Sequence, residues 1–123
     1  MSTRGGSDQV ISTGALASPT GGSGSGEAEL VDHDGAVRLR LHTAGVDPAS
    51  GGYLEVWLID PSISRLVSLG PVRADGVYDV PAGVDPHAYP VVDVSAEAVD
   101  GNPAHSGVSV LRGELAFPRT AAT

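Results

Sequence analysis

Four histidines, His33, His42, His87 and His105, are the first residues to test for chemistry. His33 sits between two carboxylates in Asp32-His33-Asp34, and a hairpin turning at Asp34-Gly35 would carry His42 back toward it. Imidazole and carboxylate together make a transition-metal ligand set. Acidic residues also gather beside turns for reasons of backbone geometry alone, and no metal is expected here. Glu55 and Glu97 both fall on strand-patterned segments. Two carboxyls facing one another across a cleft, with aromatic platforms, would suit glycoside chemistry. Trp57, Tyr53 and Tyr89 are the candidate ligand platform, drawn from one Trp and three Tyr in the whole chain. The competing reading is a solvated strand face with Arg112 or Arg40 as cross-strand ion partners. His105-Ser106 are adjacent in a loop, whereas a nucleophilic triad needs side chains that converge in space. Asn102-Pro103 carries one further reaction. With no N–H on Pro, succinimide formation through the next residue is blocked, and the Asn amide could instead attack its own carbonyl and cut the chain. Asp100-Gly101-Asn102-Pro103 is equally a run of favoured turn formers.

The pattern G-x-S-x-G is absent, as are both glycine-rich phosphate loops. Cysteine is absent too, which removes thiol catalysis, disulfides and thiolate metal sites. No catalytic, cofactor-binding or metal residues are expected, and the chain reads as a non-enzyme. Its 15 acidic residues face 7 basic ones, all arginine, for a net charge of −8. That charge repels phosphate backbones and anionic lipid. Nucleic acid is therefore not an expected partner, and without an apolar run of about 18 residues this chain is not expected to insert in a bilayer.

The elements that must position these residues are strands. Residues 36–43 alternate, with Val37, Leu39 and Leu41 to one side and Arg38, Arg40 and His42 to the other. They follow Asp34-Gly35, a strong two-residue hairpin signal. In 53–59, Leu54, Val56 and Leu58 form one face. The other, Tyr53, Glu55, Trp57 and Ile59, is also largely apolar, so the strand is central or lies beneath another segment. Asp60-Pro61 stops it. In 89–99, Val92, Val94 and Ala96 point inward and Asp93, Ser95 and Glu97 outward. The apolar phase shifts along 108–117, which predicts a bulge near 111–113. Weaker strands fall at 9–18, 27–33, 65–69 and 77–80, and 84–88 fits one helical turn.

Seventeen glycines, nine prolines and few aromatics suit short strands and tight connections. The expected architecture is all-β: a two-sheet antiparallel β-sandwich, immunoglobulin-like in outline, with about seven or eight strands. It spans 9–119 as a single domain, with a Gly/Ser-rich loop at 20–26, a disordered tail at 1–8 and a C-terminal tail at 120–123.

Four stretches resemble one family. YLEVWLID at 53–60 is similar to the Y-x-V-W-L strand of the extracytoplasmic C-terminal domain of actinobacterial anti-sigma-K-type factors. GEAELVD at 26–32 resembles that domain's first strand. The run 67–97 resembles its middle, and DGNPAHSGVSVLRGEL at 100–115 its closing loop and strand. The resemblance covers about residues 26–117 and implies an outer domain of a single-pass membrane protein. In such a protein a cytoplasmic region outside this chain binds an alternative sigma factor. The outer domain, beyond the parent transmembrane helix, gates a site-1-type protease and so regulated intramembrane proteolysis. The expected localisation is the extracytoplasmic side of the cell membrane. A carbohydrate- or small-ligand-binding β-sandwich unrelated to sigma regulation is the alternative.

Overall fold

The computed structural model describes residues 8–48 and 51–117. The tails expected at 1–8 and 120–123 lie outside the described residues, apart from Asp8, which opens the first strand. Eight strands follow in chain order: β1 (Asp8–Ala17), β2 (Ser25–His33), β3 (Ala36–Ala44), β4 (Gly52–Ile59), β5 (Leu66–Pro71), β6 (Val77–Asp79), β7 (Val91–Ala98) and β8 (Ser109–Glu114). Every pairing is antiparallel. Among the described residues there is no helix. At 84–88, expected to be one helical turn, the chain makes a single short turn with two successive bonds, Ala88 N–H to Asp85 O and Tyr89 N–H to Pro86 O, after a separate turn closed by Val84 N–H to Pro81 O, and it goes no further. Pro81, Pro86 and Pro90 each lack a donor and push the preceding residue toward extended backbone, so no helical ladder can build there.

The β2–β3 hairpin turns at Asp34 and Gly35, with φ of 54° and 88°. Positive φ at both central residues is the turn whose twist matches the flanking strands, and Asp32 Oδ1 locks it by accepting the Gly35 N–H at 2.8 Å. Leu30 then lies opposite Leu39, and Ala28 opposite Leu41, all facing the core. The Gly/Ser stretch forms less loop than its composition suggests. β2 already begins at Ser25, and Gly26 is buried where a Cβ would come within 3.0 Å of His42 O. The loop that remains is closed by Ser18 Oγ, which accepts the Gly22 N–H at 2.9 Å.

The strand order is β5-β4-β7-β8-β1-β2-β3-β6. Hydrogen bonding thus runs through one sheet where the strand pattern suggested two. The sheet folds over at the β1–β8 seam, which is pinned by Ala17 opposite Arg112 and by a bridge from Thr13 to Ala116. Glycines permit the seam. A Cβ on Gly14 would lie 2.7 Å from the Glu114 carbonyl oxygen, and one on Gly113 would collide with the Ala15 carbonyl. With no side chains in the way, the two backbones meet and the ladder continues. The chain passes directly from β5 to β6, so the two edges face one another and the sheet nearly closes. Its inner faces share one core, in which Leu30, Leu39 and Leu41 meet Leu58, Val92, Val94 and Leu111.

The predicted bulge is present one residue early. Val94 pairs with Leu111 but Ser95 with Ser109, which leaves Val110 unmatched. Residues three apart on a regular strand point to opposite faces. The extra residue puts Ser109 and Arg112 on the same, outer face, where an Arg112 terminal nitrogen donates to Ser109 Oγ at 3.1 Å.

Candidate functional site

All residues from Leu54 to Ile59 on β4 are buried, so both faces of this strand are covered, as its double apolar pattern requires. The outer cover is the β7–β8 connection, residues 99–108. Beneath it, cross-strand register lines up Trp57, Asp93 and Arg112 in one row and Glu55 and Ser95 in the next. Asp93 and Ser95 are completely buried, and Glu55 and Glu97 nearly so. The expected outward facing of Asp93, Ser95 and Glu97 holds. The expectation of a solvated carboxylate face does not, because the connection roofs it.

Every buried polar group under the roof has a partner. Asp93 Oδ1 accepts Arg112 Nε–H at 2.9 Å, and Oδ2 meets His105 Nε2 at 2.6 Å. Nδ1 of His105 accepts the Gly107 N–H at 2.8 Å, so in the neutral ring the proton is on Nε2 and points at Asp93. Trp57 Nε1–H donates to Ser95 Oγ at 2.8 Å, and that hydroxyl donates to Glu97. Glu97 also accepts the Ser106 N–H at 3.0 Å. Ser106 Oγ donates to Ala96 O at 2.7 Å. The imidazole packs on the indole, with centroids 5.0 Å apart. Glu55 accepts from Ser68 on β5.

This arrangement fastens a loop. Both His105 nitrogens are occupied, and the hydroxyls of Ser95 and Ser106 donate elsewhere, so His105 does not hold a nucleophile in the geometry a triad needs. Arg112 serves Asp93, not Glu55 or Glu97, and Arg40 lies far away on β3, paired with Asp8 and Glu29. Partial burial, and then the Glu55 carboxylate, push the Tyr53 phenol above its ordinary value.

The other sequence candidates disperse. The hairpin register sets His33 opposite Ala36 but His42 opposite Glu27, at the two ends of the ladder. His33 instead bonds Asp8 at 2.6 Å. Trp57 is buried with Ile59 and Val91 on the outer face, whereas Tyr89 packs against the main core, so Trp57, Tyr53 and Tyr89 do not form one platform. Asn102 and Pro103 belong to the roof. Asp100 accepts the Asn102 N–H, and Asn102 Oδ1 accepts the Ala104 N–H, each at 3.0 Å, which is the side-chain-capped turn their composition suggested. Sequence reasoning missed the convergence of Asp93, His105, Ser106 and Arg112. The available signal was the apolar outer face of β4, which demanded a cover.

The β4–β5 turn, 60–65, forms the opposite bank. Asp60 Oδ1 accepts the N–H groups of Ser64 and Arg65 at 2.8 and 2.9 Å, while Oδ2 takes the Ser62 and Ser64 hydroxyls. The Arg65 N–H above all holds the Asp60 carboxyl well below the usual carboxylate range. A depressed folded-state pKa contributes stability that is complete above the unfolded value and lost as pH falls through the folded one. The wild-type unfolding midpoint should therefore drop as pH is lowered below about 4. Asp60→Asn, which keeps the acceptor but cannot titrate, should flatten part of that drop in acid denaturation series. Identical acid profiles would refute the role of Asp60.

The family model described as anti-sigma-K factor rskA, C-terminal, matches residues 4–109. Comparison with curated proteins and with solved structures finds no match.

Proposed function

Because the chain belongs to the family of anti-sigma-K factor C-terminal domains, we propose that it is the outer, extracytoplasmic domain of a membrane-bound anti-sigma factor, where its folded state withholds the protein from regulated proteolysis. The family makes it a domain of an anti-sigma factor, a class whose partner is a sigma factor. In this reading the sigma factor is bound by a cytoplasmic region of the parent, across the membrane, and release follows cleavage of the parent by a site-1-type protease. Among the described residues no helix is long and apolar enough to cross a membrane, so the anchoring helix is assigned to the parent outside them.

The family match over most of the chain carries this proposal. The roofed network adds a physical rationale. The 99–108 connection is held by bonds to Asp93, Ala96, Glu97 and Ala98 of β7, so loosening the sheet also releases the roof, and opening is cooperative. A cooperative block is suited to gating a protease. The test is a graded core change in the full-length parent. Leu111→Ala should destabilise the domain by about 2–5 kcal/mol, raise basal cleavage and raise sigma-dependent transcription. His33→Ala alters only exposed ion pairs with Asp8 and Asp34 and should leave both unchanged. If Leu111→Ala destabilised the domain while cleavage stayed at its basal level, gating would be the wrong mechanism.

A further inference from the structure

Of the four histidines only His105 is enclosed. Its side chain is 9% exposed, against 38% for His33 and 67% for His87, and His42 is exposed on β3. The His105 ring is clamped from both sides. Nε2–H donates to Asp93 Oδ2 at 2.6 Å, and Nδ1 accepts the Gly107 N–H at 2.8 Å. A backbone N–H only donates, so the second bond requires a lone pair on Nδ1, and imidazolium has none. A proton added there sets one N–H against another at hydrogen-bond distance, and the Gly107 bond is lost. That bond closes a tight turn around Ser106, in which Gly107 takes φ of 86°, a conformation open to glycine. Ser106 makes the adjoining ties to Glu97 and Ala96, so the turn sits where the roof is fastened to β7.

The charges around the ring set the response to that proton. On β7 the Asp93 carboxylate attracts a cation, but its other oxygen already takes the Arg112 Nε–H at 2.9 Å. Arg112, on β8, lines the same groove as His105. A charged ring would therefore meet a carboxylate that is already neutralised, with a like charge beside it. Glu97, also on β7, has one oxygen filled by the Ser95 hydroxyl and the Ser106 N–H. Glu55 on β4 accepts from Ser68. Within the roof, Asp100 caps Asn102. Across the groove, the Asp60 carboxylate is spent on its own turn, and Arg65 is not part of the groove lining. Enclosure adds the cost of desolvating the charged ring.

We propose that His105 is a proton-operated latch: a proton taken up at Nδ1 frees the 105–107 turn, and the roof lifts from Trp57 while the sheet beneath stays intact. The closed roof uses the neutral ring, and the lifted roof leaves both ring nitrogens open to water. Lifting therefore takes up a proton and grows easier as pH falls through the range in which imidazole titrates, about pH 8 to 5. This deepens the gating reading and, for any effect on proteolysis, rests on it: acidity outside the membrane becomes the condition that loosens the roof. The latch itself is a property of this chain.

The test uses this chain alone, so its failure and a failure of gating in the parent are separate results. Protection of the Gly107 amide, corrected for the intrinsic pH dependence of exchange, should fall by up to about tenfold per pH unit between about pH 7.5 and 5. The Val94 and Leu111 amides of β7 and β8 should keep their protection. Trp57 is the single tryptophan and is buried under the roof, so its emission should move to longer wavelength over the same range as water reaches the indole. His105→Gln, which offers a donor and an acceptor but does not titrate, should abolish both responses. Nitrogen NMR shifts of the wild-type ring should pass from the Nε2–H tautomer to imidazolium across that range, a reading that needs no variant to fold. Gly107 protection that holds level or rises in acid would overturn the proposal. So would an unchanged response in His105→Gln, or a ring already protonated at Nδ1 with the roof closed. Parallel loss of protection at Val94 and Leu111 would mean acid unfolding of the whole sheet and would overturn it as well.

Discussion

Asp93→Ala should cost the domain about 3–5 kcal/mol, the range for breaking a buried ion pair by removing one partner. Asp93 is completely buried and holds two groups at once, Arg112 at 2.9 Å and His105 at 2.6 Å. Without it the Arg112 guanidinium loses its counter-ion, and His105 Nε2–H points at a void. The roof is then tied only by Ser106 to Glu97 and Ala96 and, near its two ends, by the Ala96 N–H to Val108 O and Asp100 N–H to Ala98 O bonds. Urea denaturation followed by Trp57 emission measures the cost, and hydrogen exchange at Gly107 measures release of the roof. Asp93→Asn, which keeps an acceptor in place, should cost less. If Asp93→Ala stayed within about 1 kcal/mol of wild type, the network would be ornamental to folding.

Val94→Asp should be worse still, above about 4–5 kcal/mol, the regime of a carboxylate forced into an apolar core. Val94 is as buried as Asp93 and is the next residue on the same strand. Its side chain points the other way, into the cluster of Leu58, Val92 and Leu111, where no donor waits for a carboxylate. The same functional group is required at one position and ruinous at the next. Circular dichroism at ambient temperature should show Val94→Asp largely unfolded. A folded Val94→Asp protein with wild-type near-ultraviolet signal would mean that the inner and outer faces of β7 had been assigned the wrong way round.

The contrast between these two neighbours marks how far the sequence reaches. Alternation placed Val92 and Val94 on one face and Asp93, Ser95 and Glu97 on the other, because the pleat sends successive side chains to opposite sides whatever lies around them. Asp34-Gly35 identified the hairpin, since few residue pairs accept positive φ twice. Asp60-Pro61 ended β4, and the likeness of the 53–60 and 100–115 stretches pointed to the family that the match over 4–109 bears out.

What covers the outer face was not legible, because the 99–108 connection has no periodicity. Asp93 meets His105 twelve residues on, and Arg112 nineteen residues on, only after the sheet has set β7 beside β8. The fold-over had its signs in Gly14 and Gly113, but a glycine in a strand reads the same whether it marks a bulge, a bend or a close approach. The bulge at Val110 was foreseen one residue late, since the apolar phase tells that an extra residue exists but not where the ladder absorbs it. The residues by themselves determined which way each side chain points, a property of the local backbone. Whether that direction ends in water or beneath another segment was decided by contacts between segments far apart in the chain, and so by the tertiary structure alone.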